Sequence, residues 1–240
     1  MPKHAVQPDQ ARCSTAPALS TPLRVGGLTR LTSIDFPGRL AAVVFCQGCP
    51  WRCGYCHNPE LLDATAPAAM DWAEVLAFLQ TRCGLLDGVV FSGGEPTLQT
   101  ALPGALAAVR GLGFETALHT GGMYPDRLAR ALPLLNWVGL DIKAPLHCHD
   151  AITGVPGSGA RARESLHLLL ASGVPFECRT TWHPDLFGND QLLALAEELA
   201  QCGVQHWVVQ QRRMPHQHVP PIAGSLHTAL AKKFPHFGLR

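Results

Sequence analysis

The sequence predicts an α/β fold, a partial (β/α)6 barrel of parallel strands, and two observations carry that expectation. From Arg39 onward, short apolar runs rich in β-branched residues alternate with longer segments whose apolar residues recur at helical spacing. Nearly every chemically loaded stretch stands just after one of those runs, at the C-terminal edge where parallel sheets and barrels bind ligands. The 240 residues, 47% hydrophobic and 15% charged, are enough for one sizeable core.

The elements follow in order. Residues 1–22 are rich in Pro, Ala, Ser and Gln, with too little apolar periodicity to fold alone, so they are expected to form a mobile tail before a single domain over 23–240. Strands are expected over 39–45 (RLAAVVF), 88–92 (GVVFS), 114–120 (FETALHT), 137–143 (WVGLDIK), 175–181 (PFECRTT) and 204–211 (VQHWVVQQ). Helical spacing marks 70–86, 124–136, 160–173 and 189–203, and two of these end in Gly, a common helix stop.

Charge excludes several partners. A net charge of +1, from 19 basic and 18 acidic residues without long runs of either sign, offers no surface for nucleic acid or an anionic membrane. The N-terminal residues contain no apolar signal core, so a cytoplasmic location is expected. Nine cysteines, an odd number, argue against a disulfide framework and for reduced thiols, some of them metal ligands.

Four of those cysteines, Cys46, Cys49, Cys53 and Cys56, fall in CQGCPWRCGYC. Four thiolates would close a zinc site or tie down every iron of a cubane cluster, whereas three would leave one iron open for chemistry. Cys49, Cys53 and Cys56 have the C-x3-C-x2-C spacing that lets one loop wrap three corners of a cluster. Cys46 ends an apolar strand and is expected to pack. A closed four-cysteine module is the alternative, and it leaves the remaining motifs unexplained.

In SGGEP (Ser92–Pro96) the glycines let backbone approach a ligand closely, and Glu95 can accept hydrogen bonds from an ammonium group. In LDIKAP (Leu140–Pro145), Asp141 and Lys143 fall on one face of a strand, either as a rim salt bridge or as a clamp for a zwitterionic ligand. Position at the barrel edge favours the clamp. LHCHD (Leu146–Asp150) and PHQHVP (Pro215–Pro220) carry metal-binding residue types. Neighbouring residues in a loop rarely converge on one ion, so His147, Cys148 and His149 are expected to be polar rim residues. Cys83, Cys178 and Cys202 lie in helix or strand patterns and are expected to pack.

The cysteine loop, with aromatic Tyr55 before its last cysteine, and the Gly-Gly-Glu segment together resemble the radical S-adenosylmethionine superfamily. More narrowly, SIDFPG, QGCPWRCGYCHNPEL, GVVFSGGEPTLQ, LHTGGMYP and WVGLDIKAP, spread over residues 33–145, and more loosely ECRTTWHPDL, resemble the activating proteins of anaerobic ribonucleoside-triphosphate reductases. The pyruvate formate-lyase activating enzymes are the more distant relatives, sharing YCHN and Gly-Gly-Glu. The resemblance implies one 4Fe-4S cluster on Cys49, Cys53 and Cys56, which are both its metal ligands and the catalytic residues. It implies S-adenosylmethionine bound by Tyr55, His57, Gly93, Gly94, Glu95, Thr120, Asp141, Lys143 and Arg179. Only thirteen residues separate Cys56 from Met70, which leaves no room for a ferredoxin-like insert with further clusters.

The implied activity is reductive cleavage of S-adenosylmethionine to a 5'-deoxyadenosyl radical, which takes hydrogen from a glycine Cα of the partner reductase. Flavodoxin or ferredoxin is the implied reductant. One departure is visible: the pyruvate formate-lyase activating enzymes read Asp-Thr-Asn-Gly where this chain has His119, Thr120, Gly121 and Gly122. His119 cannot supply that carboxylate, so no cation site carries over. An activating enzyme for another glycyl-radical enzyme, such as pyruvate formate-lyase, is the nearest alternative, and a small-molecule radical enzyme is another.

Overall fold

The computed structural model describes residues 22–212 and 222–240. The expected tail, apart from Pro22, and the PHQHVP segment lie outside the described residues.

One eight-stranded sheet runs in chain order: β1 (Val25–Thr32), β2 (Ala41–Cys46), β3 (Gly88–Gly93), β4 (Glu115–Thr120), β5 (Trp137–Asp141), β6 (Phe176–Trp182), β7 (His206–Gln211) and β8 (His236–Leu239). β1 is antiparallel to β2, and every later pair is parallel. β1 and β8 form the two edges and do not pair with each other, so the barrel stays open, as expected.

The six expected parallel strands are β2 to β7. Two strands were not expected. β1 reads VGGLTRLT, whose paired glycines break apolar alternation, and β8 is only four residues long, HFGL. The fourth expected strand also ends sooner than expected, since β5 stops at Asp141 and Lys143 lies beyond it.

Among the described residues, seven α-helices pack around the sheet: α1 (Trp72–Gln80), α2 (Leu102–Gly111), α3 (Pro125–Ala131), α4 (Leu146–Thr153), α5 (Ser158–Ser172), α6 (Asn189–Gln201) and α7 (Gly224–Ala231). α1 begins at Trp72, because Met70 is taken into a β-bridge with Val25, and Glu74 reaches back to the Asp71 N–H in a capping box. α4 replaces the expected polar loop over Leu146–Asp150. Pro145 stands at its N-cap and Gly154, at φ +69°, ends it in the left-handed conformation.

The period of two along each strand divides the interior into two cores. Ala42, Val44, Cys46, Val89, Phe91, Leu118, Leu140, Cys178 and Trp207 point outward into the helical layer and form the main core. Ala41, Val43, Val90, Ala117 and Trp137 face the barrel interior around Phe36. Phe36, from SIDFPG, closes the floor, its ring centroid 6.1 Å from that of Trp137. A side chain at Gly88 would come within 2.8 Å of the same ring. The opposite end of the barrel, at the C-terminal edge of the parallel strands, holds the chemistry.

Among the described residues, no helix is long and apolar enough to cross a membrane. Cys46, Cys49, Cys53, Cys56, Cys148, Cys178 and Cys202 are free thiols. Cys83, expected to pack, is packed against the main core.

Candidate functional site

The cysteine loop leaves the end of β2. Cys46 is fully buried in the helical layer, its carbonyl accepts the Gly94 N–H at 3.0 Å, and burial, with Glu95 nearby, pushes its thiol far above the ordinary value. It is a core residue, as expected. Cys49, Cys53 and Cys56 lie half-buried on the loop that follows. Backbone bonds brace this loop: Gly48 N–H to Leu61 O at 2.8 Å, Cys49 N–H to Leu62 O at 3.1 Å, and Arg52 N–H to Thr153 O at 2.8 Å on α4.

Between the cysteines, Trp51 is only 3% exposed. Its ring occupies the space over Gly121, where an added Cβ would come within 2.3 Å of it, and meets the His149 ring edge-on at 5.4 Å. Tyr55 is buried, its hydroxyl lacks a hydrogen-bond partner among the described residues, and Lys143 Nζ lies 6.0 Å from its ring centroid. The exposed His57 ring stands beside it at 6.5 Å.

The Gly-Gly bend ends β3. Gly93 has φ +111°, and a Cβ on it would meet the Cys46 backbone nitrogen at 2.4 Å. A Cβ on Gly94 would meet the Gly48 carbonyl oxygen at 2.3 Å. Only glycine can bring these two backbones so close.

Glu95 also has a structural role that the sequence did not show. It is 2% exposed and accepts the Thr97 N–H at 3.0 Å, the Thr97 hydroxyl, the Thr120 hydroxyl at 2.7 Å and the Gly121 N–H at 2.9 Å. Burial raises its pKa and these bonds partly offset the rise. Glu95 and Thr120 therefore tie the end of β3 to the end of β4, behind the surface that Gly93 and Gly94 present.

The third group crosses the ends of β5 and β6, where Asp141 and Arg179 stand in register. Asp141 accepts from Lys143 Nζ at 2.8 Å and from Arg179 Nε at 2.9 Å. Burial alone would raise the Asp141 pKa, but Arg179 and then Lys143 hold it well below the usual carboxylate range. The guanidinium lies across Gly139, where a Cβ would come within 2.7 Å of its Cζ. Two cations share one carboxylate, so the group is a salt bridge that keeps a net positive charge at the rim. Below it, buried His119 donates from Nε2 to Asp35 O at 2.9 Å, and burial, with Arg179, lowers its pKa to about 3.

The donor set fits an iron-sulfur cluster. Burial raises the Cys49 thiol to about 12 and the Cys53 thiol in the same direction, so thiolates here need a cation to bind. Cys49, Cys53 and Cys56 share one half-buried loop and offer three thiolates, which suits a cubane cluster that takes each thiolate on a separate iron. The tightly pressed Gly93–Gly94 backbone and the orphaned Tyr55 hydroxyl suit an organic ligand beside it.

The sequence reading missed His149. Expected at a polar rim, it is 1% exposed inside α4, donating from Nδ1 to Ser158 Oγ at 2.8 Å and accepting the Lys143 N–H at Nε2. Burial, with Lys143, lowers its pKa to about 4. Pro145 before it and Gly154 after it were the available helix signals.

A cysteine loop, a Gly-Gly bend and a two-cation clamp on one rim of an open parallel barrel define an enzyme built around an iron-sulfur centre. The chain belongs to the radical SAM superfamily, whose model matches residues 43–204, and its cofactors are a 4Fe-4S cluster and S-adenosylmethionine. It is 27% identical over 194 residues, 78% of this chain and 79% of the other, to a Methanocaldococcus jannaschii protein assigned as a glycyl-radical enzyme activating enzyme. It is 34% identical over 125 residues, 50% of this chain, to the pyruvate formate-lyase-activating enzyme of Clostridium pasteurianum, of which it covers 52%. S-adenosylmethionine-bound SuiB of Streptococcus suis superposes with a TM-score of 0.63 at 14% identity, over 81% of this chain and 48% of SuiB, a likeness of fold.

Proposed function

We propose that this protein is a glycyl-radical activating enzyme and that its partner is an anaerobic ribonucleoside-triphosphate reductase. The observation that carries the activating role is the shared rim: the three-cysteine loop, the Gly93–Gly94 bend and the Asp141–Lys143–Arg179 group all open at one mouth of an unclosed barrel. A protein loop can enter such a mouth. The activating enzymes among its relatives support the same reading. The choice of reductase rests on SIDFPG, LHTGGMYP and WVGLDIKAP, with His119 in place of an aspartate.

Cys49, Cys53 and Cys56 would hold the cluster. Gly93 and Gly94 offer backbone to the methionine part of S-adenosylmethionine, and Lys143 and Arg179 offer positive charge to its carboxylate. Tyr55 and His57 line the adenine side. When bound, the cofactors would supply, with one electron from flavodoxin or ferredoxin, the reductive cleavage of S-adenosylmethionine to methionine and a 5'-deoxyadenosyl radical able to take a hydrogen atom from a glycine Cα. A reduced cluster and such a reductant go with a cytoplasmic location, and residues 23–240 are read as the single domain that carries the site.

Electron paramagnetic resonance of the reconstituted, reduced protein tests this. The expected signal shifts on adding S-adenosylmethionine, survives Cys46→Ala and disappears in Cys53→Ala. Incubation with the reductase then gives a glycyl-radical signal, and incubation with pyruvate formate-lyase does not. An unshifted signal, or a cluster lost with Cys46, would sink the enzyme reading. A radical on the lyase alone would move the partner, and a radical on neither would return the protein to small-molecule chemistry.

A further inference from the structure

One helix joins the cysteine loop to the charged rim, through residues to which the cofactor reading gives no role. His149, on α4, meets the Trp51 ring edge-on, and Thr153 on the same helix accepts the Arg52 N–H. Trp51 and Arg52 both lie between Cys49 and Cys53. On its other side, His149 Nε2 accepts the Lys143 N–H at 3.4 Å. Lys143 has left β5, so the sheet supplies no partner for that amide. An acceptor at Nε2 puts the ring proton on Nδ1, which donates to Ser158 Oγ at 2.8 Å. Ser158 in turn donates to Asp150 Oδ1 at 2.9 Å. Asp150 also accepts the N–H groups of Gly157 at 2.7 Å and Gly159 at 3.3 Å, anchoring the relay to the start of α5.

We propose that His149 is a positioning residue that holds two parts of the site in one fixed relation: the cysteine loop, through Trp51, and Lys143, through its backbone N–H. The proposal rests on the assignment of Lys143 to S-adenosylmethionine. Precision is the reason for such a device, because a ligand held by a loop on one side and a lysine on the other loses affinity when either shifts. His149 touches neither cofactor in this scheme. It acts through the tautomer that its neighbours impose.

Two measurements test it. The first is a long-range nitrogen–proton NMR correlation of the imidazole, in protein carrying the oxidised, diamagnetic cluster. It is expected to show Nδ1 protonated and Nε2 bare, and the opposite tautomer overturns the proposal. The second is equilibrium binding of S-adenosylmethionine to the cluster-loaded protein. His149→Gln places an acceptor where Nε2 stood and keeps the Lys143 link, whereas His149→Asn keeps only the Ser158 side. Iron content is expected to stay equal, with affinity about tenfold weaker in His149→Asn, the worth of one buried hydrogen bond, and within about twofold of wild type in His149→Gln. Equal losses in both variants, or none in His149→Asn, overturn the proposal. If neither variant folds, the tautomer decides. A wild-type protein that does not bind the cofactor refutes the assignment of Lys143, and the tautomer still decides whether the relay exists.

Discussion

At the scale of single residues, the site is controlled by groups whose partners lie far away in sequence. Glu95 accepts hydrogen bonds from Thr120 and Gly121, 25 and 26 residues downstream. Local spacing places the three cysteines because one short loop carries them all, but it cannot see a bond across two strands. His149 shows the same limit and leads to a pH prediction. Burial lowers its pKa to about 4 in the folded chain, against 6.5 for an ordinary histidine, so the unfolded chain binds a proton that the folded chain refuses. The contribution of a neutral His149 is fully present above pH 6.5 and is lost as pH falls toward its folded value. Lys143 opposes protonation and Asp150 favours it, and both are included in that direction. Relative to His149→Gln, the wild type is expected to lose about 1.4 kcal/mol of stability per pH unit between roughly pH 6.5 and 4. Urea unfolding of both proteins across that range checks it, and a pH-independent difference would refute a buried neutral imidazole.

At the scale of elements, the six central strands were legible because strands of a parallel sheet covered on one side by helices read as apolar, β-branched runs. α4 was not legible, since LHCHDAIT combines polar and metal-binding residues with little apolar periodicity, and its role comes from the elements packed against it. The contact that fixes the cysteine loop is likewise between elements: the Trp51 ring against the bare backbone of Gly121 after β4. Gly121→Ala is expected to destabilise the fold by about 2–3 kcal/mol, because the new methyl overlaps a ring that has no room to move. Trp51→Phe, a smaller ring, should relieve part of that overlap. A double-mutant cycle by chemical denaturation is expected to give a coupling of at least about 1 kcal/mol, and strict additivity would mean that the two do not meet.

At the scale of the whole molecule, the open barrel separates stability from chemistry. Its floor is closed by Phe36, packed on Trp137 and over Gly88, at the end opposite the cysteine loop. Phe36→Ala is expected to cost about 3 kcal/mol in denaturant unfolding, through the cavity it leaves, while the spectral shift caused by S-adenosylmethionine stays unchanged. A lost shift in the folded variant would show that floor and rim are coupled. By itself, the sequence determined the fold class, the six central strands and the placing of three cysteines on one short loop, because each depends on periodicity or spacing within a short stretch of chain; the superfamily was legible as a resemblance of its motifs. Only the tertiary structure decided that β1 and β8 extend the sheet, that Glu95 is a strut, that Asp141 is shared by two cations and that His149 is buried between the loop and the rim. Those features are contacts between distant segments, and their energies come from burial and hydrogen bonding that exist only once the chain has folded.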